Sequence, residues 1–154
     1  MKATLFLDEV GDLPLELQPK LLRALEEKSF ERLGGNRTIA IDVRLIAATN
    51  QNLAEEVRSR RFRNDLYYRL SVFTVLIPAL RERREDIPAL ADHFMRIFNR
   101  QEGKQIRTIP ANAIRRLASW DWPGNVRELE NVIHRSVVLT EGPELQLSFP
   151  ATIE

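Results

Sequence analysis

The chain has no cysteine, only two histidines and two tryptophans, and no apolar run close to the roughly 18 residues that a membrane-spanning helix requires. Without cysteine there are no disulfides, no thiolate metal ligands and no cysteine nucleophile, and a reducing compartment is permitted. His93 and His134 fall on separate expected helices with no ligand cluster around either, which leaves them packing or surface roles. An excess of one charge is also missing. The 23 Lys+Arg and 22 Asp+Glu give a formal net charge of +1, so bulk charge names no polyanionic partner. Met1-Lys2-Ala3 runs into a short strand-like segment and not into a signal-peptide core, so the expectation is a soluble cytoplasmic chain with no membrane partner. What is present is 44% hydrophobic content over 154 residues, enough for a core of ordinary size.

The pattern predicts two parts. Leu5-Phe6-Leu7 reads as a fully buried strand, followed by the turn-rich Asp8 to Pro14 and then by Leu17, Leu21, Leu22 and Leu25 at helical spacing to about Glu27. Phe30 to Leu33 and Thr38 to Val43 predict a hairpin around Gly34-Gly35-Asn36. Leu45 to Ala48 is a second buried-strand signal that ends at Thr49-Asn50, Leu53–Arg58 and Phe62–Leu70 predict short helices, and Phe73–Ile77 is a third β-rich run closed by Pro78. After about residue 85 the chain reads as all helical. Asp86 stands as a cap before Ile87, Leu90, Ala91, Phe94, Ile97 and Phe98 on one face. A second helix is expected from Pro110 to Ser119 and a third from Val126 to Leu139, with Asn125 and Glu128 approximating a capping box. The domains expected are therefore an α/β part, 1–85, a helical part, 86–143, and an extended tail, 144–154.

Four constellations can carry chemistry. Asp8 and Glu9 leave a strand end side by side, where one acid can hold Mg²⁺ and the other can activate water, although strand ends capped by solvated acids are common. Thr49 and Asn50 leave the other strand, where open α/β sheets place their ligands; an amide there can orient water, and turn formation is its commoner use. Arg63 and Arg69 can reach outward with planar, permanently charged groups suited to phosphoryl-transfer charge, or form a solvated basic surface. Arg127 sits in the first turn of its helix, where a cation opposes the helix dipole unless an anionic partner offsets it.

The order of these segments is more specific than any one of them. TLFLDEVGDLPLELQPKLLRALEE, FERLGG, VRLIAATN, FRNDLYYRLSV, IPALRERREDIPALADHF and WPGNVRELENVI together resemble the AAA+ central domain of bacterial enhancer-binding proteins, the activators of sigma-54 RNA polymerase. The resemblance implies ATP and Mg²⁺ as cofactors, with Asp8 (through ATP, the metal site) and Glu9 as Walker B acids and Thr49-Asn50 at the sensor I position. It implies Arg63 and Arg69 as the arginines offered in trans to a neighbouring subunit, and Arg127 as the sensor II arginine of a helical lid. The partners it implies are the neighbouring subunits of a homo-oligomeric ring and sigma-54 RNA polymerase, with DNA reached only through a further domain.

Departures from the family pattern shape the expectation for this chain. No Gly-x-x-x-x-Gly-Lys-Ser/Thr occurs, nor does the Gly-Ala-Phe-Thr-Gly-Ala loop that touches the sigma factor, and no C-terminal helix-turn-helix follows. Ala3 stands where a Gly commonly precedes the Walker B strand, and Arg60 where a Gly is usual before Phe62. The fold class expected is thus α/β: a partial P-loop NTPase-like α/β subdomain lacking the P-loop strand, followed by a three-helix lid. In the family that strand lies between the sensor I strand and the one corresponding to Phe73–Ile77, so the α/β part is expected to be remodelled or completed by another chain. The parent is expected to be a Mg²⁺-dependent ATPase and this chain to be inactive alone, binding neither ATP nor Mg²⁺ by itself. Two other readings remain: a stand-alone interaction module supplying trans arginines, and a DNA-binding helix-turn-helix around Trp120 to Asn125, which Glu128 and Glu130 disfavour by repelling phosphate.

Overall fold

A computed structural model describes residues 3–31, 38–40 and 42–149. The chain divides into two compact units, Met1–Val75 and Leu76–Glu154.

In the first unit β1 (Ala3–Leu7) leads through a 3-10 turn (Val10–Asp12) to α1 (Gln18–Glu27), the strands β2 (Ser29–Glu31) and β3 (Thr38–Ala40), β4 (Val43–Ala47), α2 (Leu53–Arg58) and α3 (Asn64–Leu70). β1 and β4 pair in parallel, in a register running from Ala3 opposite Val43 to Leu7 opposite Ala47. The chain between them carries α1, as a parallel crossover requires. β2 and β3 pair antiparallel, as the predicted hairpin implies; its Gly34-Gly35-Asn36 turn lies outside the described residues.

Three expectations fail within residues 1–77. β1 is not a buried strand: Phe6 is 56% exposed and Leu5 and Ile46 also face outward, because a sheet of two strands offers too little neighbouring structure to cover both faces. Phe73–Ile77 forms no strand; among the described residues nothing pairs with it, and it runs as an open, exposed segment. The apolar stripe of α1 does not supply the core either. Leu17 is exposed, Leu21, Leu22 and Leu25 are half-buried, and the fully buried side chain of this helix is Gln18. The buried apolar side chains of this unit, among the described residues, are Val10, Phe62 and Leu66.

The second unit contains α4 (Ile87–Gln101), α5 (Ala111–Ser119) and α6 (Asn125–Leu139), preceded by 3-10 turns at Leu80–Glu82 and Arg84–Asp86. Ile87, Ala91, Phe94 and Phe98 face inward at the predicted spacing, joined by Met95. They pack with Leu117, Trp122, Leu129, Ile133 and Val137 into a continuous core. Residues 145–149 of the tail are part of that core's cover, since Leu145 is buried and Leu147 and Phe149 pack against it at alternating positions. It is pinned by Ser148 N–H to Ser136 Oγ at 2.9 Å and by Gln146 N–H to Thr140 Oγ1 at 3.0 Å.

The capping expected of two helices takes other forms. Asp86 makes no side-chain cap bond and lies 4.0 Å from Arg83 instead. Asn125 is not the cap of α6: its backbone is left-handed at φ 50°, and its Oδ1 accepts from Leu80 N–H at 2.9 Å. Glu128 still reaches back, accepting from Gly124 N–H at 2.8 Å and from Trp120 Nε1 at 3.0 Å.

Candidate functional site

The parallel register of β1 and β4 determines what meets at their C-terminal ends. Ala48 N–H donates to Leu7 O at 2.8 Å and Val10 N–H to Ala48 O at 3.0 Å, so the pairing continues past the strands on both sides of Asp8-Glu9. The two acids and Thr49-Asn50 therefore leave neighbouring strands at the same end of the sheet, the position that open α/β folds use for ligands.

Backbone geometry at this end is unusual. Glu9 adopts the left-handed conformation, φ 52° and ψ 40°, which is costly for a residue with a Cβ. The bend brings its N–H to Asp8 Oδ1 at 3.0 Å and starts the tight turn that buries Val10. Strain of this kind gathers at functional positions, where the surroundings hold a side chain in a direction it would otherwise avoid.

The turn is locked against the loop after β4. Thr49 Oγ1 accepts from Gln51 N–H at 3.1 Å, and Gln51 Nε2 donates to Asp12. Gly11 fits beneath: a Cβ there would lie 2.6 Å from Thr49 Oγ1 and 3.0 Å from Gln51 Oε1, so any other residue would have to displace the Thr49 and Gln51 side chains. Asp12, Gly11 and Gln51 escaped the sequence reading because each looks like ordinary turn chemistry until the register of β1 with β4 is known.

Asp8, Glu9 and Asn50 are exposed and Thr49 is half-buried. No set of three or more His, Asp or Glu converges on a metal position among the described residues. This donor set fits Mg²⁺ arriving with a polyphosphate, because that ion keeps several waters and takes few protein carboxylates.

Arg63 and Arg69 flank α3, Arg63 just before its first residue and Arg69 in its last turn. Neither guanidinium bonds to Asp8, Glu9, Thr49 or Asn50 among the described residues. Arg63 is held by Asp65, through Nε to Oδ1 at 3.0 Å and Nη2 to Oδ2 at 2.6 Å. Hydrogen bonding from Arg63 holds the Asp65 carboxyl below its ordinary value, helped by the Leu66 N–H and opposed by desolvation. Arg69 Nη2 donates to Leu25 O at 3.0 Å, near the C-terminal end of α1, where a cation is favoured. Arg127, in the first turn of α6, is exposed and makes no hydrogen bond or ion pair among the described residues.

The comparisons with known proteins cover both units. Residues 1–76 match the family model of the sigma-54 interaction domain, and residues 81–153 match that of the AAA+ ATPase lid domain. Among similar proteins is the formate hydrogenlyase transcriptional activator of Salmonella typhimurium (strain LT2), 62% identical over 149 residues, which are 97% of this chain and 22% of that protein. Another is the transcriptional regulatory protein ZraR of the same strain, 53% identical over 154 residues, covering 97% of this chain and 35% of ZraR. NtrX from Brucella abortus, solved in complex with ADP, superimposes with a TM-score of 0.85 at 45% identity, covering 91% of this chain and 32% of that one. Its complex with ATP gives a TM-score of 0.84 at 46% identity, over 88% and 32% of the two chains.

The fold and these matches define the class as AAA+ ATPase, a nucleotide-binding family. Within it, the chain belongs to the sigma-54-dependent transcriptional activators and covers part of their AAA+ domain. It spans about a fifth to a third of the length of the relatives it matches.

Proposed function

We propose that this chain supplies the later part of a nucleotide-hydrolysing site. In the complete protein, a ring of identical subunits couples ATP turnover to the remodelling of sigma-54 RNA polymerase in the cytoplasm. Residues 1–85 form the later part of the α/β subdomain, residues 86–143 a three-helix lid, and residues 144–154 its tail. The observation that carries this reading is the parallel pairing of β1 with β4, which puts Asp8-Glu9 and Thr49-Asn50 at one end of one sheet.

Each residue then has a chemical role. Mg²⁺ bound with ATP would neutralise charge on the transferring phosphoryl group. Asp8 is the carboxylate that would hold that ion, directly or through water. Glu9 takes a proton from the attacking water, and its exposed position at the strand end leaves it open to that water. Asn50 orients the same water through its amide, with Thr49 fixing the loop. Arg63 and Arg69 stabilise charge on a neighbouring subunit's nucleotide, and Arg127 senses the phosphates from the lid. The P-loop motif does not occur in these 154 residues, so this chain alone has no phosphate cradle and does not turn over ATP.

The test is Mg²⁺-dependent ATP turnover by the full-length protein carrying Glu9→Gln. Loss of the base lowers kcat by a factor of about 10² to 10⁴ while nucleotide binding persists. Turnover within twofold of the unsubstituted protein would mean that Glu9 is a solvated strand-end acid and nothing more.

A further inference from the structure

Gln18 is fully buried at the first position of α1, and no role described above uses it. A buried amide must satisfy its donors and acceptor or lose stability, and Gln18 does so on three separate backbone points. Its Nε2 donates to Leu13 O at 2.9 Å and to Arg61 O at 3.1 Å, while its Oε1 accepts from Arg63 N–H at 2.8 Å. Leu13 closes the turn that begins with Asp8-Glu9, and Arg61 and Arg63 lie on either side of the buried Phe62.

The segment that Gln18 grips needs a support of this kind. After α2 the backbone leaves regular structure, with Arg60 in the left-handed region at φ 59°. Arg61 N–H and Phe62 N–H both turn back to Glu56 O, at 2.9 Å and 3.1 Å. Arg63 N–H has Gln18 as its partner, and α3 starts at the next residue. Only a neutral side-chain amide combines two donors with an acceptor at this reach. Glutamate loses both donors, and methionine loses all three contacts.

We propose that Gln18 is a positioning residue that fixes the Arg61–Arg63 backbone to the acidic turn, so that the Arg63 guanidinium is presented at a set place. The proposal rests on the reading that Arg63 serves the nucleotide of a neighbouring subunit. Its consequence is directional: damage at Gln18 impairs hydrolysis next door and leaves the acids of its own subunit competent. A misplacement of about 1 Å in such a group can cost on the order of 10²-fold in rate.

Subunit mixing in the full-length protein separates these effects. Gln18→Met alone should lower kcat at least tenfold with ATP affinity kept within about threefold. Mixed with Glu9→Gln subunits, which cannot hydrolyse but carry a well-placed Arg63, Gln18→Met should recover turnover several-fold above either variant alone. Mixed with Arg63→Ala subunits it should recover none, and Gln18→Glu, closer in shape, should follow the same pattern. The parallel mixture of Arg63→Ala with Glu9→Gln tests the underlying reading and should also recover. Recovery there without recovery for either Gln18 variant would assign Gln18 to its own subunit's acids or to folding alone, and would overturn the proposal. No recovery in the Arg63→Ala mixture would remove the trans role of Arg63 and the proposal with it.

Discussion

Arg63 and Asp65 form a two-point ion pair within a single chain, at 3.0 Å and 2.6 Å, although Arg63 is one of the two arginines that the family resemblance implies for a neighbouring subunit's nucleotide. The two side chains are 43% and 45% exposed, so water and salt weaken the pair and leave the arginine able to exchange partners.

The pair makes a pH-dependent prediction. Because Arg63 holds the Asp65 carboxyl below its ordinary value, the pair's contribution is fully present above about pH 4, the unfolded carboxylate range. It is lost as pH falls through the depressed folded value. An NMR titration should place the Asp65 midpoint below that of a free aspartate and return it to the ordinary range in Arg63→Ala. At neutral pH, Asp65→Asn should lower the half-saturating ATP concentration of the full-length protein by releasing Arg63. A higher concentration would show that the carboxylate supports the arginine and does not compete for it.

Arg60 predicts a stabilising substitution. Its φ of 59° lies where a side chain costs about 1–2 kcal/mol, and glycine is usual there in the family that the sequence resembles. Arg60→Gly removes that strain but adds unfolded-state freedom worth about 0.5–1 kcal/mol. The expected net gain is about 0.5–1 kcal/mol in urea denaturation of the first unit. A loss would mean that the Arg60 side chain supplies compensating contacts.

The sequence made some of this legible and hid the rest for identifiable reasons. Helices with a strong stripe, such as Ile87 to Phe98, and the two strands ending in Asp8-Glu9 and Thr49-Asn50 were evident because period and turn residues agreed. Phe73–Ile77 misled as a strand, since β-branched composition reports what a segment can pair with; the absence of the family's P-loop strand from these residues was the sequence signal that its pairing would change. Gln18 was hidden for the opposite reason: a polar residue among leucines reads as solvent-facing until its three backbone partners come together from Leu13, Arg61 and Arg63. The capping pattern at Asn125 and Glu128 was half right, because the acid reaches back as expected while the amide is taken by Leu80.

Glu128 is the side chain that fixes the start of α6. Its Oε2 takes Gly124 N–H and its Oε1 takes the Trp120 indole, so one carboxylate satisfies a helix-start donor and a half-buried ring nitrogen. Glu128→Ala should cost about 0.5–2 kcal/mol, the range for losing a helix cap, read as a lower melting temperature followed by tryptophan fluorescence. Glu128→Gln should cost about half as much, because an amide offers one acceptor oxygen in place of two. An unchanged melting temperature in Glu128→Ala would show that water replaces both bonds.

The segment Val72 to Ile77 makes the last prediction. Phe73 is 84% exposed and Leu76 90%, with Val72, Val75 and Ile77 also open, and Thr74, Val75 and Ile77 favour strands. Apolar, β-prone and unpaired among the described residues, such a segment is a template for association with any free strand edge. The β1–β4 sheet, with its outward Leu5, Phe6 and Ile46, is a separate apolar surface in the first unit. The isolated chain should therefore self-associate in a concentration-dependent way. The pair Phe73→Lys and Leu76→Lys should reduce that association at least severalfold in light scattering, because charge on a β-prone segment opposes edge pairing. Neither residue belongs to the buried core, so the melting temperature should stay within a few degrees. Equal scattering by the unsubstituted and doubly substituted chains would locate the sticky surface on the β1–β4 sheet and clear Val72 to Ile77 of that role.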